Sequence, residues 1–346
     1  MFSDYIKNCF NKRIFFFFTQ ILLFSEISFS QTKYVFEEAK MGSPFAISIY
    51  ASDSMKAATA AQAAFRKADE LNEILSDYID SSELNKLSLT SGHDRYIEVS
   101  QPLFDILQKS MEAAKMSNGA YDITIGPVVK LWRIARKTKM FPEKDAVKSA
   151  LAKTGYQYLH LDSVHHSVWL EKPGMKLDVG GLGKGFVAAA AFEVLKQYGF
   201  NCAMINAGGK IVIGEPPPNK DGWLIGINAP QEKENILPEL LVLKNISIAT
   251  SGDIYQFVEL NGKRYSHIVD PKTGIGLTRR KNVTAIANDG TTADWLATAC
   301  SVFSEKESFR LIEKFPGAAL LITENRKGRI YKRSSPNFKN YLQKHF

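Results

Sequence analysis

The alternation Phe45-Ala46-Ile47-Ser48-Ile49 predicts a strand, because side chains on a strand point to opposite faces with period two. A helical period replaces it after Ser54, which is placed to cap. Ala61, Phe65, Ala68, Leu71, Leu75 and Tyr78 then fall along one face of a long helix. A second helix is predicted from about Pro102 to Met116, with proline in its first turn and Ser117-Asn118-Gly119 as the stop. A third covers Lys144–Lys153 and ends at Gly155. Short strands flank His165-His166, which reads as a hairpin tip rather than a metal site.

The centre of the chain is punctuated by glycine. Met175–Val179 reads as a strand, and Gly180-Gly181-Leu182-Gly183-Lys184-Gly185 leads into a helix through Phe192, Leu195 and Tyr198. Strands are expected at Cys202–Asn206, Trp223–Ile227, Leu240–Ile248 and Ile254–Leu260. Asn261-Gly262 then makes a hairpin turn into Arg264–Val269. Asn282–Ala287 and Ala318–Ile322 read as strands around helices at Asp289–Phe303 and Ser304–Phe315. Strands and helices mixed in this way, with hairpins and isolated crossovers, indicate an α+β or mixed α/β fold.

The first thirty residues follow none of these patterns. Lys7, Lys12 and Arg13 precede Ile14–Phe24, an apolar run of about eleven residues, too short to span a membrane and right for the core of a secretory signal. Ser28 and Ser30 are the small residues a signal peptidase reads, so residues 1–30 are expected to be a signal peptide cut before Gln31 and residues 31–346 a single domain. Left uncut, the segment would anchor the protein at a membrane surface. Cys9 precedes the apolar run and so is not a lipoprotein cysteine.

Composition narrows the picture further. In 346 residues, 45% apolar side chains are enough for a core and exclude a mostly disordered chain. Three cysteines exclude a disulfide scaffold, and Cys202 and Cys300 read as small buried hydrophobes. The 44 Lys and Arg against 36 Asp and Glu give +8, without a block of like charge long enough to suggest nucleic acid. The densest basic stretch, Arg326, Lys327, Arg329, Lys332 and Arg333, reads as a solvated strand pair.

Three segments carry candidate chemistry. The glycine turn at 180–185, between a strand and a helix, offers backbone N–H groups to an anion, with Asp178 just before it. It is neither a Walker loop, lacking Ser or Thr after Lys184, nor a dinucleotide fingerprint. Asp294 and Thr298, four apart, put two hard oxygen ligands on one helix face, suited to Mg2+ or Ca2+. The same pair also reads as a first-turn acid and a threonine bonded to its own helix. Ser266-His267-Ile268-Val269-Asp270-Pro271-Lys272-Thr273-Gly274 combines a candidate base, His267, with Asp270, which reads as its orienter, as a ligand or as the cap of its own turn.

In this order the segments resemble the ApbE family, the FAD:protein FMN transferases. The matching pieces are Met41-Gly42-Ser43, Ser76-Asp77-Tyr78, Gly119–Pro127 with Leu131-Trp132, Leu177–Phe186, Asn206–Gly209, Ala249–Asp253, Ser266–Gly274 and Ala293–Thr298. The resemblance implies mixed sheets of T-fold type with packed helices, and a cleft between two lobes for FAD. It implies that Met41, Tyr78, Ala120, Tyr121, Asp122, Asp178, Lys184 and Ile268 contact FAD. The Gly181 carbonyl, Asp294 and Thr298 would hold Mg2+, and His267 and Asp270 would lie in the catalytic segment. The implied reaction is attack of a Ser or Thr hydroxyl of an acceptor redox protein on the FMN-side phosphorus of FAD, with AMP leaving. Export, to the periplasm or the outer face of the inner membrane, fits the same family. Hydrolysis of FAD to FMN and AMP would use the same residues, and flavin binding without catalysis would not need the metal ligands. Three positions depart from the family pattern: Lys210 follows the double glycine in place of Asp or Asn, Ala189 replaces an Asp, and Ile275-Gly276 replaces an aromatic-Pro pair.

Overall fold

A computed structural model describes residues 31–228, 236–252, 256–326 and 329–344. The expected signal segment, residues 1–30, lies outside them, as do the first two residues of the strand expected from Ile254. The chain opens with the hairpin β1 (Thr32–Lys40) and β2 (Ser43–Ala51), turning at Met41 and Gly42, both at positive φ. Helix α1 (Ser54–Leu75) follows, and Asp53, not Ser54, caps it by accepting from the Met55 and Lys56 amides. It stops at Ser76, so Tyr78 leaves the buried helix face and is 69% exposed. Next come α2 (Glu83–Leu89), β3 (Ile97–Glu98), α3 (Gln101–Met116), α4 (Gly126–Thr138) and α5 (Lys144–Leu151). Strands β4 (Leu159–Asp162) and β5 (Ser167–Leu170) form the hairpin expected around the histidine pair, where His165 Nδ1 bonds Asp162.

The strand expected over Met175–Val179 does not form: Lys176 makes an isolated bridge to Ile125 and the Asp178 amide donates to the Ile123 carbonyl, before α6 (Gly183–Gln197). The rest of the chain is β6 (Ala203–Ala207), β7 (Lys210–Ile213), β8 (Trp223–Asn228), β9 (Ile236–Leu243) and β10 (Ile246–Ser251), then β11 (Phe257–Leu260), β12 (Lys263–Ser266) and β13 (Lys281–Ala287). It ends with α7 (Gly290–Val302), α8 (Glu305–Ile312), β14 (Ala319–Arg326) and β15 (Arg329–Ser334). The single strand expected over Leu240–Ile248 is two. Asn245, at φ 49°, breaks it, and its halves join different sheets. The basic stretch near the C-terminus is the β14–β15 hairpin, where Lys332 bonds Glu239 and Arg333 pairs with Glu305.

Eight strands form an antiparallel sheet in the order β1-β2-β6-β7-β10-β13-β14-β15. Every residue of β13 is buried, because both faces of the sheet are covered. On one face Val283, Ala285 and Ala287 pack with Phe65, Val187 and Leu296 of α1, α6 and α7. On the other, Ile286 and Leu321 pack with Trp223 and Leu241 of the β8–β9 pair. A third, smaller apolar cluster joins α4, α5 and the β11–β12 hairpin through Val128, Trp132, Ala150, Val258 and Val269. The fold is mixed α and β, as the sequence predicts. Cys202 and Cys300 are free thiols, Cys300 buried and Cys202 half-buried. Among the described residues no helix is long and apolar enough to cross a membrane.

Candidate active site

Helices α6 and α7 meet backbone to backbone, and that contact builds the centre of the site. A Cβ on Gly185 would lie 2.1 Å from the Gly290 carbonyl, so only glycine fits there. The approach lets the Gly185 amide donate to Asp294 Oδ2 at 3.0 Å. Asp294 Oδ1 accepts no hydrogen bond, although the residue is fully buried. Burial pushes the Asp294 carboxyl up, against the pull of Lys210 and Lys184. An orphaned buried carboxylate oxygen is costly unless a cation answers it. Among the described residues the nearest cation is Lys210 Nζ, 3.7 Å away.

Thr298 lies one turn further along α7. Its hydroxyl donates to the Gly181 carbonyl at 3.0 Å and lies 3.3 Å from Ser251 Oγ. It therefore does not bond back into its own helix but joins α7 to the glycine turn and to β10. Gly181 is wedged between two side chains, since a Cβ would come 2.9 Å from Tyr121 and 3.0 Å from Thr298. Asp294 Oδ1, Thr298 Oγ1 and the Gly181 carbonyl are oxygen donors of the hard kind that Mg2+ takes, and the unanswered Oδ1 fits such an ion. No cluster of three acidic, His or Cys side chains occurs among the described residues, so a metal here would draw on carbonyl and hydroxyl oxygens.

Lys184, in the first turn of α6, has its pKa lowered by burial and by Lys210. Its ammonium lies near Gly208, where a Cβ would be 3.5 Å from Nζ. Met41 reaches the same helix start from the β1–β2 turn, with Cε 4.0 Å from the position of a Cβ on Gly183. Ala120 and Tyr121 are buried beside the glycine turn, and Tyr121 lies 3.4 Å from the Ser110 hydroxyl. Asp122 binds inward. Oδ1 accepts from the Thr124 amide and hydroxyl, and Oδ2 accepts from the Tyr156 amide, which shapes the loop.

Asp178 is tied at both oxygens. Oδ1 accepts from the Gly180 amide at 2.8 Å, and Oδ2 from Arg133 Nη2 at 3.0 Å. The other arm of Arg133 bonds Asp77, and its guanidinium stacks 4.0 Å over the Tyr78 ring. Burial, then the Asp77 charge, pushes the Asp178 carboxyl up to about 6 despite Arg133. Arg133 was not among the residues singled out from sequence. It stands 45 and 56 positions from its two acids, although Arg133 and Arg136 sit one turn apart on the α4 that carries the Leu131-Trp132 motif.

His267, Ile268 and Asp270 stand on the turn after β12. The Gln256 carbonyl accepts from both the His267 amide and Nδ1, each at 3.0 Å. A carbonyl can only accept, so Nδ1 carries the proton and Nε2 has the free lone pair. Burial, followed by the charges of Arg136, Lys210 and Lys184, pushes the imidazole down to about 4. Those three cations thus act at His267 from α4, β7 and α6. Asp270 does not orient the ring. Its Oδ1 accepts from the Lys272 amide at 2.8 Å, and its carbonyl accepts from Gly274, so it caps its own turn. Trp132 Nε1 donates to the Gly274 carbonyl and pins that turn to α4. A cavity of about 340 Å³ opens beside the turn, lined by Ile268, Asp270, Arg279, Lys281 and Ser301. Neither Asp294 nor Lys184 lines it, so it is a recess toward the end of α7 rather than the metal-ligand centre.

The chain is similar to known proteins in both sequence and fold. The profile of the ApbE family matches residues 41–322. The FAD:protein FMN transferase of Klebsiella pneumoniae (strain 342) is 31% identical over 297 residues, covering 85% of this chain and 90% of the relative. That of Treponema pallidum (strain Nichols) is 31% identical over 262 residues, 72% of each chain. Among solved structures, the ApbE protein of Thermotoga maritima superposes with a TM-score of 0.81 at 28% identity, over 90% of this chain and all of the other. The flavin transferase ApbE of Vibrio cholerae gives 0.80 at 25% identity, with the same coverage.

Proposed function

The chain belongs to the ApbE family, and from that premise we propose that it transfers FMN from FAD to a side-chain hydroxyl of an acceptor protein, releasing AMP. The observation that carries the chemical reading is the convergence of an unanswered carboxylate oxygen on Asp294, the paired Gly181 carbonyl and Thr298 hydroxyl, and the Lys184 ammonium at the start of α6. Phosphoryl transfer needs fixed positive charge around the anhydride and a positioned nucleophile, and little else from the protein.

In this reading a Ser or Thr oxygen of the acceptor attacks the FMN-side phosphorus. An O–P bond forms as the anhydride P–O bond breaks, and AMP leaves with the bridging oxygen and its electron pair. His267 Nε2, on a ring that is neutral at pH 7, takes the hydroxyl proton. Lys184 and the α6 N-terminus hold the diphosphate. Asp294, Thr298 and the Gly181 carbonyl would hold Mg2+, which when bound supplies further positive charge against the diphosphate. Met41, Tyr78, Ala120, Tyr121 and Ile268 provide the apolar side of the FAD site. Asp178 is a polar contact to FAD whose position is set by Arg133 and Gly180. Asp122 acts through the loop it ties, and Asp270 through the turn that presents His267.

The test is to incubate chain starting at Gln31 with FAD, Mg2+ and lysate or a candidate acceptor, then look for flavin-fluorescent bands on a denaturing gel. Covalently labelled acceptor with one AMP per flavin supports transfer. FMN and AMP without labelled protein would make the enzyme an FAD hydrolase. Export is proposed on the charged start and short apolar run of residues 1–30, and the intact mass of secreted protein, beginning at Gln31 or at Met1, decides whether the segment is cut or retained as an anchor.

A further inference from the structure

Lys210 is the first residue of β7, opposite Ala249 of β10. Its side chain is 15% exposed and runs beneath α7. The ammonium donates to the Thr250 carbonyl at 2.7 Å and stops 3.7 Å from Asp294 Oδ1. That separation is too long for a good hydrogen bond, so the cation is anchored on the carbonyl and pairs only loosely with the carboxylate. Oδ1 has no other cation as near among the described residues, while Oδ2 is satisfied by the Gly185 amide. The oxygen best placed to ligate a divalent ion therefore already has a tethered monovalent one.

A divalent ion on Oδ1 and the Lys210 ammonium would be like charges a few ångströms apart, in a buried setting where such repulsion is weakly screened. Together they are favourable only if more negative charge arrives. The diphosphate of FAD would bring it, and the start of α6 with Lys184 is where it would dock. We propose that Lys210 is a built-in competitor for the metal, which makes divalent-ion binding conditional on the anionic substrate. Without FAD, Lys210 neutralises Asp294 and metal binds weakly. With the diphosphate in place, both cations are compensated and metal binds tightly. By linkage, metal tightens FAD by the same factor. The inference rests on the reading of Asp294 as a metal ligand.

The experiment follows Mn2+ binding by the loss of the free-ion electron paramagnetic resonance signal, using chain from Gln31, with and without FAD and with FAD alone as the blank. In wild type, FAD is expected to tighten Mn2+ by about tenfold or more, within the ordinary range of coupling between sites. Lys210→Met is expected to bind Mn2+ about tenfold more tightly than wild type without FAD, and to show most of the FAD effect gone. Lys210→Arg, which keeps the charge, should preserve the wild-type pattern. If Lys210→Met does not fold, Lys210→Gln, polar but uncharged, serves in its place. Equal Mn2+ affinity of wild type and the uncharged variant in the absence of FAD would overturn the proposal. Equal Mn2+ binding by wild type and Asp294→Asn, with FAD as well as without, would instead remove the metal reading on which it stands.

Discussion

The Thr298 hydroxyl donates to the Gly181 carbonyl at 3.0 Å, joining the middle of α7 to the glycine turn 117 residues earlier. One bond thereby positions two of the three expected metal ligands against each other. Thr298→Val removes the hydroxyl while keeping the shape. It is expected to cost about 0.5–1.5 kcal/mol of stability, the net worth of an ordinary hydrogen bond. The Mg2+ concentration for half-maximal transfer should rise, and Thr298→Ser should restore it. A melting curve beside a Mg2+ titration separates the two effects. Full Mg2+ dependence in the valine variant would leave Thr298 a purely structural link.

Asp294→Asn keeps an acceptor for the Gly185 amide but takes the nearby counter-charge from Lys210, 3.7 Å away, so the melting temperature is expected to fall by no more than a few degrees. Transfer should nonetheless fall by about a thousandfold, the equivalent of the several kcal/mol a metal contributes to transition-state charge. Activity kept while stability dropped would return Asp294 to a structural role.

For His267→Ala, transfer at saturating FAD is expected to fall about 10²–10⁴-fold, the usual worth of a general base, with little change in the FAD dissociation constant. Flavin fluorescence titration beside a rate assay reads both. Equal losses in affinity and rate would make His267 a substrate ligand. The wild-type ring should stay neutral down to about pH 4, so it imposes no loss of rate between pH 8 and pH 6. The same shift has a stability consequence. The folded value lies below the ordinary histidine value, so the unfolded chain binds the extra proton more readily as pH falls. The contribution from keeping this ring neutral is full above about pH 6.5 and is lost toward pH 4. The difference in melting temperature between wild type and His267→Ala should therefore change over that window and be flat above it.

Gly185→Ala tests the helix contact directly. Its Cβ would meet the Gly290 carbonyl at 2.1 Å, so α6 and α7 must separate. The expected cost is at least the ~1–3 kcal/mol of ordinary overpacking, with loss of metal binding because the Gly185 amide no longer holds Asp294. Denaturant unfolding and Mn2+ binding check the two halves of that statement. Wild-type values for both would mean the helices can yield without consequence.

Much of this site could be read from local spacing. The i, i+4 separation of Asp294 and Thr298, the glycine turn before α6 and the polar run around His267 are each contained within ten residues. The Asn261-Gly262 hairpin and the long amphipathic helices were legible for the same reason. What escaped depended on distance or on a single backbone angle. Arg133 acquires its role only when Asp77 and Asp178 are folded onto it. Asp270 looked like a partner for His267 at three residues' spacing, but the Gln256 carbonyl from the neighbouring strand region takes Nδ1 instead. Helix α4, beginning at Gly126-Pro127, has no counterpart among the helices expected from the sequence; it packs against α5 and β11–β12. One left-handed residue, Asn245, divides an apolar run that hydrophobicity alone makes continuous.

Trp132 hangs the His267 turn on the smallest of the three apolar clusters, whereas Asp294 and Thr298 stand over the largest. Regions with few buried apolar contacts open at lower free energy than the global transition. The proposed proton acceptor and the proposed metal ligands thus belong to units of unequal cooperativity. On warming, the satellite carrying His267 is the part that breathes first. Inactivation should precede melting, with amides of β11 and β12 exchanging with solvent while those of α6 and α7 remain closed. The protein would pass through a state in which the proposed metal ligands on α7 stay in place while the proposed base does not, and cooling would restore it without refolding the sheet.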